Sequence, residues 1–349
     1  MDAKYKKLLW ISIGLSLGIM LLVILFTFDE ETLVALKNFD YRFLLIAFGL
    51  HLLAIVFWGI RILVLCRSLG YRVPLRHCIN MAASGQLLAA ITPSNIGGEP
   101  VRVHELYKAK VPLADSTAVV LVERLLEAVL LVLGVIIGMG AFSIVYRNGE
   151  IPAELITAAW IGTAFFVGIL LVLILIMRKP ETVKKWGLAI LGLVTKKMKP
   201  ARREKLEGDI TGGIDQFYST FRHFAGKEGR IGLFLGLLFS LAFWTCEYSI
   251  ASVIMMGMGY EPHILLSIIF QLIIAVILMI PLTPGSTGIA ELCYAGFYSL
   301  ILPSSVIGLF VVLLRAILYY SNLVIGFIAS FIIVKREAKN ATVTLGDEN

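Results

Sequence analysis

Two arginines stand inside long apolar stretches of this sequence, and they are the side chains best placed to do chemistry. Arg124 and Arg315 each follow a proline, Pro112 and Pro303, by twelve residues. That separation is about 18 Å along a helix, roughly half of a bilayer's hydrocarbon thickness. An arginine at such a depth is costly unless it faces a partner, a wet cavity or a ligand, and its planar fork suits phosphate and carboxylate groups.

Two glutamates occupy related places upstream of these arginines. Glu99 and Glu291 lie at the start of predicted short helices that follow glycine turns at Gly97-Gly98 and at Gly288. A helix N-terminus at membrane depth offers free N–H groups and the positive end of a dipole, which suit an anionic group. Either the glutamates cap their own helices, or they pair with the arginines and exchange that partner for a lipid phosphate or a proton.

Further charged residues fall inside apolar stretches. Glu123 and Glu127 flank Arg124, and Glu127 lies at i+3 on the same helix face, where it could simply neutralise the arginine. Glu247 is a candidate proton site because an ionisable residue within a span is usually functional. Arg61 lies near the end of its predicted span, where its side chain is expected to snorkel to the interface.

The composition is that of a membrane protein. The chain of 349 residues is 58% hydrophobic and 16% charged, with a mean hydropathy of +0.88, which a soluble domain of this size would not tolerate. The net charge of +7 is therefore interpreted through membrane topology and predicts no nucleic-acid partner. The sequence has no phosphate-binding loop, HExxH or GxSxG motif and no metal-like His/Cys cluster, so we expect no ATPase, protease or hydrolase activity, no cofactor and no metal.

The elements that position these residues form an internal repeat. An offset of 191 residues carries the segment 91–124 onto 282–315 without a gap, matching a Thr-Pro pair, a glycine, a tyrosine, a second proline and the arginine. The apolar spans that precede the two copies run in opposite directions. The sequence thus predicts an all-α polytopic membrane protein with about six full spans and two re-entrant helical hairpins in an inverted repeat. The predicted spans are 8–28, 43–65, 112–142, 153–177, 231–256 and 303–334, and the hairpin arms are 77–91 with 99–110 and 263–281 with 286–301.

The whole chain, 1–349, is predicted to be a single membrane domain. Repeat one covers 43–142 and inverted repeat two covers 231–334, with a basic amphipathic cytoplasmic linker at 178–228 between them. Ten Lys/Arg against two acidic residues in 178–205 favour helices on the inner leaflet, with a solvated linker as the alternative. The distribution of positive charge predicts a multi-pass cell-membrane protein with both termini in the cytoplasm. If 263–281 and 286–301 both cross the membrane, the number of spans rises by two.

Three stretches resemble a known family. They are SNIGGEPVRVHELYKA at 94–109, ERLLE at Glu123–Glu127 and TPGSTGIAE in the second half, and they look like the membrane region of the lysylphosphatidylglycerol synthase/flippase family, over roughly residues 8–335. Related regions also occur beside archaeal glycosyltransferase domains. The resemblance implies the translocating part alone, without the aminoacyl-transferase domain of bifunctional members. It also implies that a central lipid path is lined by Glu99, Arg102, Arg124, Glu127, Glu291 and Arg315.

The leading hypothesis is a lipid flippase or transporter with a central polar cavity. Its partners would be membrane lipids with an anionic, aminoacylated or polyprenyl-phosphate headgroup, and buried carboxylates such as Glu123 and Glu247 are candidates for proton coupling. One alternative is a membrane-embedded lipid-modifying enzyme that uses the Glu/Arg cluster for acid/base work. Another is a non-transporting membrane subunit of a glycosyltransferase or aminoacyl-transferase system, with a partner transferase docked on the basic surface.

Overall fold

The computed structural model describes residues 30–90, 92, 97–145, 178–194, 200–227, 229–278, 283 and 285–346, with isolated residues between 157 and 175. All regular secondary structure in these residues is helical. The predicted span 8–28 lies outside the described residues, and most of the predicted span 153–177 also lies outside them.

The helices occur in two sets with closely similar lengths. The first set has 28, 16, 11 and 33 residues. The second set has 28, 15 and 10 residues, followed by a continuous helical stretch from Ser304 to Gly346 whose predominantly apolar part, Ser304–Arg336, has 33 residues. In chain order the helices are α1 Glu30–Lys37, α2 Tyr41–Ser68, α3 Leu75–Ala90, α4 Gly98–Lys108, α5 Leu113–Val145, α6 Pro180–Val194, α7 Pro200–Ala225, α8 Arg230–Gly257, α9 Ile264–Leu278, α10 Ile289–Tyr298, α11 Ser304–Arg315 and α12 Ser321–Gly346.

Helices α2 and α8, the first of each set, pack closely and antiparallel. Gly232 near the start of α8 lies against Ser68 at the end of α2, whereas Gly257 at the end of α8 lies against Phe43 near the start of α2. Small residues at the contact let the two backbones approach, as in many membrane helix pairs. Opposite directions are the arrangement that an inverted repeat requires of its first helices.

The two sets exchange their later helices. Helix α5 packs on α9, where Gly134 faces Leu272 and Gly138 faces Ile269. Reciprocally, α12 packs on α3, where Gly326 lies against the backbone carbonyl of Ala83. The long helix that follows each short pair is therefore supported by the first short helix of the other set.

The turns between the short helices touch each other. The backbone N–H of Gly285 donates to the carbonyl oxygen of Thr92 at 3.1 Å. Each turn is also closed by its own threonine, because the N–H of Gly97 donates to Thr92 Oγ1 at 2.8 Å and Thr283 Oγ1 donates to the carbonyl of Thr287 at 2.8 Å. The two helix breaks therefore satisfy part of each other's backbone in the interior, as buried irregular backbone must.

Three described helical stretches are long and apolar enough to cross a membrane, namely α2, α8 and Ser304–Arg336. The last differs from the predicted uniform span 303–334, because a π-helical turn at Ala316–Tyr320 begins directly after Arg315 and the helix continues to Gly346. Such turns are rare and frequently lie at functional sites. These three stretches have the length and composition that the integral membrane assignment requires.

The basic linker folds as two helices that are held to the body of the protein. Asp115 at the start of α5 accepts hydrogen bonds from Thr220 and Gln216 of α7 and from Tyr71 in the α2–α3 loop. Burial and the hydrogen bond to this carboxylate raise the pKa of Tyr71 to about 12. Helix α6 is tied to α7 by an ion pair, and its Trp186 is exposed.

Candidate functional site

Six charged residues from α2, α4 and α5 converge in the interior and form what we call the first charged cluster. Its three arginines and three glutamates give it a formal charge of zero. An ion pair withdrawn from water needs such balance, because an unpaired charge in a low-dielectric interior is very costly. The members are Arg61, Glu99, Arg102, Glu123, Arg124 and Glu127.

Arg61 is the centre of this cluster. Its Nη2 donates to Glu127 at 2.7 Å, its Nε donates to Glu123 at 3.1 Å, and its Nη1 donates to Ser240 of α8 at 3.2 Å. Trp58 donates its indole N–H to the same oxygen of Glu123 at 2.9 Å. The prediction that Arg61 snorkels to the interface was wrong, since its side chain is 0% exposed. The physical reason is that it forms ion pairs with two buried carboxylates.

Arg124 is the reachable member of the cluster, with 33% of its side chain exposed. It forms ion pairs with Glu127 one turn along α5 and with Glu99 in the first turn of α4. The contact with Glu99 joins the second short helix of the first set to the long helix that follows it. Glu99 thus pairs with an arginine, and α4 has no side-chain cap at its N-terminus.

Arg102 is buried without a full set of hydrogen bonds. Its nearest carboxylate oxygens are 3.5 Å away on Glu123 and 3.6 Å away on Glu99, and its guanidinium carbon lies 5.1 Å from the centre of the Trp58 ring. Buried polar atoms nearly always have a hydrogen-bond partner, so exceptions call for an explanation. Within the described residues, the cluster atoms that lack one are Arg102 Nε and Nη2, Arg124 Nε, Glu99 Oε2 and Glu123 Oε2.

The second half contains a smaller counterpart. Arg315 Nε lies 3.0 Å from Glu291 Oε1, and its guanidinium carbon lies 4.0 Å from the centre of the Tyr319 ring in the π-helical turn. The other oxygen of Glu291 accepts the N–H of Gly288 at 2.7 Å and caps α10. Glu291 therefore both caps its helix and pairs with the arginine, whereas Glu99 only pairs.

The turn glycines are required by the backbone conformation and by close backbone packing. A β-carbon on Gly98 would lie 2.8 Å from the carbonyl oxygen of Gly85 in α3, so only glycine permits this close approach. Gly288 has a φ of +88°, which side chains disfavour. The N–H groups of Gly97 and Gly288 already have protein partners. Among the described side chains of the first charged cluster, the buried donors without a hydrogen-bond partner are nitrogens of Arg102 and Arg124.

The two candidates for proton coupling are placed apart. Glu123 belongs to the first charged cluster, while Glu247 of α8 lies 2.7 Å from Nδ1 of His51 in α2. The other ring nitrogen of His51 lies 3.1 Å from the amide oxygen of Asn322 in α12. Neither His51 nor Asn322 was among the predicted site residues. A histidine within a 28-residue apolar helix was the available signal.

An apolar crevice of about 170 Å³ opens beside the first charged cluster, between α5, α8 and α9. Leu130 and Leu131 on its wall follow Glu127 by one helical turn. Trp244 and Tyr248 also line it, and within the described part of the chain neither the indole N–H nor the phenol has a hydrogen-bond partner. The crevice thus combines a hydrocarbon surface with two free polar groups.

Comparison with known proteins gives a family and several relatives. The family model for the lysylphosphatidylglycerol synthase TM region matches residues 9–326. A UPF0104 membrane protein of Archaeoglobus fulgidus is 30% identical over 91% of this chain and 95% of its own length, and one of Methanothermobacter thermautotrophicus is 27% identical over 85% and 86%. Glycosyltransferase AglD of Haloferax volcanii is 25% identical over 83% of this chain but only 49% of its own length. No solved structure gives a significant match.

Proposed function

The chain belongs to the lysylphosphatidylglycerol synthase TM-region family of integral membrane proteins, and on this premise we propose that it moves lipid headgroups across the membrane. The headgroup would pass through the first charged cluster while the hydrocarbon chains remain in the bilayer. The protein would act as a transporter, with no chemical change to the lipid. It would reside in the cell membrane with both termini in the cytoplasm.

The unpartnered atoms of the first charged cluster carry this proposal. Three arginine nitrogens and two glutamate oxygens of the described residues form no hydrogen bond within this formally neutral site, although Arg102 Nε and Glu123 Oε2 face each other in an ion pair at 3.5 Å. A phosphate would accept from the arginine nitrogens, and an ammonium group would donate to the free oxygens of Glu99 and Glu123. A headgroup with both groups satisfies all five atoms, so an aminoacylated phospholipid fits better than a simple anionic phospholipid or a polyprenyl phosphate.

Arg124 would be the first contact for an incoming headgroup, because Arg61 and Arg102 are almost fully buried. A phosphate at Arg124 would compete with Glu99 for the same guanidinium. Because Glu99 lies in the first turn of α4, losing this ion pair would loosen the start of that helix, while Glu105 would still hold its later part through Arg336. Arg315 likewise pairs with a glutamate in the first turn of a short helix, Glu291 of α10, but this arginine is 6% exposed. We propose that this pair serves the opposite side of the membrane.

The pairing of helices supports an inverted arrangement of the two sets. Helices α3 and α9 have 16 and 15 residues, which is about 24 and 22 Å and too short for a hydrocarbon core of about 30 Å. We therefore propose that α3–α4 and α9–α10 are re-entrant hairpins that meet at the contact between Gly285 and Thr92. Rocking of one set against the other around this contact would expose the site alternately.

The apolar crevice gives a place for a hydrocarbon chain during this passage. It lies one helical turn from Glu127, so a chain in the crevice and a headgroup at the cluster could belong to one lipid. Leu241, which lines the crevice, has an exposed apolar side chain. A lipid could thus enter sideways from the bilayer.

A binding measurement tests the choice of lipid. Purified protein would be mixed with aminoacylated phosphatidylglycerol, unmodified phosphatidylglycerol or a short polyprenyl phosphate, and retained lipid would be counted by native mass spectrometry. We expect the aminoacylated lipid to be retained most, and Arg124→Gln to lower its retention about tenfold, the loss of one charged hydrogen bond. The matched control is Arg222→Gln, an exposed arginine of α7. Equal retention by Arg124→Gln and the control would contradict the proposal.

A second candidate rests on the match to glycosyltransferase AglD. This chain covers only about half of that protein, so a membrane region of this kind occurs within a larger chain that bears a glycosyltransferase name. By analogy, the chain could serve as the membrane subunit of a partner transferase without transporting lipid. Selective retention of the polyprenyl phosphate, unaffected by Arg124→Gln, would favour this candidate.

A further inference from the structure

A polar cluster of three residues joins both helix sets away from the arginines. His51 of α2 contacts Glu247 of α8 through Nδ1 at 2.7 Å and Asn322 of α12 through Nε2 at 3.1 Å. The His51 side chain is 1% exposed, and that of Glu247 is 14% exposed. Helices α2 and α8 are the antiparallel pair that begins the two sets.

The orientation of Asn322 fixes the hydrogen on His51. The amide nitrogen of Asn322 donates to the backbone carbonyl of Leu318 at 2.7 Å. A carbonyl oxygen can only accept, so the amide nitrogen must face Leu318 and the amide oxygen must face His51. Because that oxygen also only accepts, Nε2 of His51 must carry a hydrogen.

The contact between His51 and Glu247 then requires one more proton. With a hydrogen on Nε2, the neutral ring presents a lone pair at Nδ1, which would repel a carboxylate oxygen at 2.7 Å. A proton must therefore lie between the two atoms, on either the imidazole or the carboxyl group. In both forms the cluster has a net charge of zero, and without that proton its charge is −1.

We propose that His51, Glu247 and Asn322 form a proton-binding site that couples lipid movement to a proton gradient. Release of the proton to water through the partly exposed side of Glu247 would leave a lone pair facing a carboxylate. The resulting repulsion would open the contact between α2 and α8, and rebinding of a proton would restore it. The coupling rests on the proposed transport function, whereas the proton site itself does not.

Among the described residues, three further titratable groups interact electrostatically with Glu247. They are Cys246 and Tyr248 on α8 and Tyr294 on α10, and thiols and phenols ordinarily lose their protons only at alkaline pH. Tyr248 also interacts electrostatically with Glu127 of the first charged cluster. This tyrosine therefore neighbours both the proton site and the arginine site.

The substitution Glu247→Gln tests the dissociable proton separately from the hydrogen bond between α2 and α8. A glutamine amide can donate to Nδ1 of neutral His51 and keep α2 joined to α8, but it has no dissociable proton. The matched control is Glu261→Gln, which makes the same substitution in an exposed pair with His263. The full-length proteins would be compared by potentiometric titration between about pH 5 and about pH 9.

We expect the wild type and Glu261→Gln to release one proton per chain more than Glu247→Gln. Equal release by all three would overturn the proton site. In proteoliposomes containing head-labelled aminoacylated phosphatidylglycerol, a gradient of one pH unit should shift the wild-type distribution of the lipid up to tenfold and leave Glu247→Gln at equal distribution.

If the distribution of the labelled lipid between the leaflets is the same with and without a pH gradient in wild-type proteoliposomes, the proposed coupling is wrong. If Arg124→Gln transports normally, the proposed lipid route fails, but the titration still decides whether the proton site exists. The two proposals therefore fail by different observations.

Discussion

At the residue scale, the arginines of the first charged cluster differ in burial: one is enclosed by its partners and another is partly exposed. Arg61 is fully buried and holds Glu123 and Glu127 together, while Arg124 reaches the surface of the same cluster. A buried charge whose partner is removed costs far more than the pair itself contributes. Substitutions at the two positions should therefore have different consequences.

Arg61→Leu should destabilise the protein by about 3–5 kcal/mol, because it leaves two buried glutamates with unbalanced charge. Arg124→Gln should cost much less, since Glu127 keeps its hydrogen bond to Arg61 and the position is partly exposed. Thermal unfolding of both variants in the same detergent measures the difference. Equal melting temperatures would show that Arg61 does not hold the cluster together.

The residue scale is also where sequence analysis was weakest. It proposed Arg124, Glu99, Arg315 and Glu291 as candidates, because charged residues in apolar stretches are conspicuous, and in the structure these residues form ion pairs. It placed Arg61 at the membrane interface. The position of a residue along a helix indicates its depth in the membrane, but it does not show which helix face has charged partners. It also missed His51, whose partner Glu247 is 196 residues away, and no local pattern shows such a contact.

At the element scale, the contact between the two turns depends on Gly285. This residue has a φ of +59°, and an added β-carbon would collide with the backbone carbonyl of Ala90. Gly259 provides a comparison, because it has a φ of +80° with open space around it. The two glycines thus differ in packing but share the same backbone requirement.

Gly259→Ala should cost about 1–2 kcal/mol, the penalty for a β-carbon in the left-handed region. Gly285→Ala should lose a further 1–3 kcal/mol or so, because the backbone of the opposing turn must move. Thermal unfolding of the two variants side by side measures this excess. If Gly285→Ala melts no lower than Gly259→Ala, the turns do not form a tight contact.

Helix boundaries were predicted well where proline or glycine interrupts an apolar run. The predicted arms 77–91 and 99–110 correspond to Leu75–Ala90 and Gly98–Lys108. The π-helical turn after Arg315 was not predicted, because Ala316–Tyr320 contains no residue that breaks a helix. The turn lies where Arg315, the last residue of α11, contacts both Glu291 and the ring of Tyr319. The contact with Glu291 comes from another helix, α10, and helix propensity does not describe such a contact.

At the scale of the whole molecule, the two sets of helices are joined most extensively by the antiparallel pair α2 and α8, and also by exchanged contacts of their later helices. Helix α5 lies on α9 and α12 lies on α3, while α2 and α8 form the antiparallel pair between them. The first charged cluster draws on α2, α4 and α5, and the proton site draws on α2, α8 and α12. Both sites therefore include α2, so relative motion of the sets would affect each of them.

Lipid translocation in proteoliposomes tests the central claim most directly. Head-labelled aminoacylated phosphatidylglycerol would be followed from one leaflet to the other for the wild type, the Arg124→Gln/Arg315→Gln variant and the Arg222→Gln control. We predict that the wild type and the control move the lipid, and that the double variant loses at least nine-tenths of the rate while remaining folded. Movement by the double variant at the wild-type rate, or no movement by folded wild type, would contradict the account.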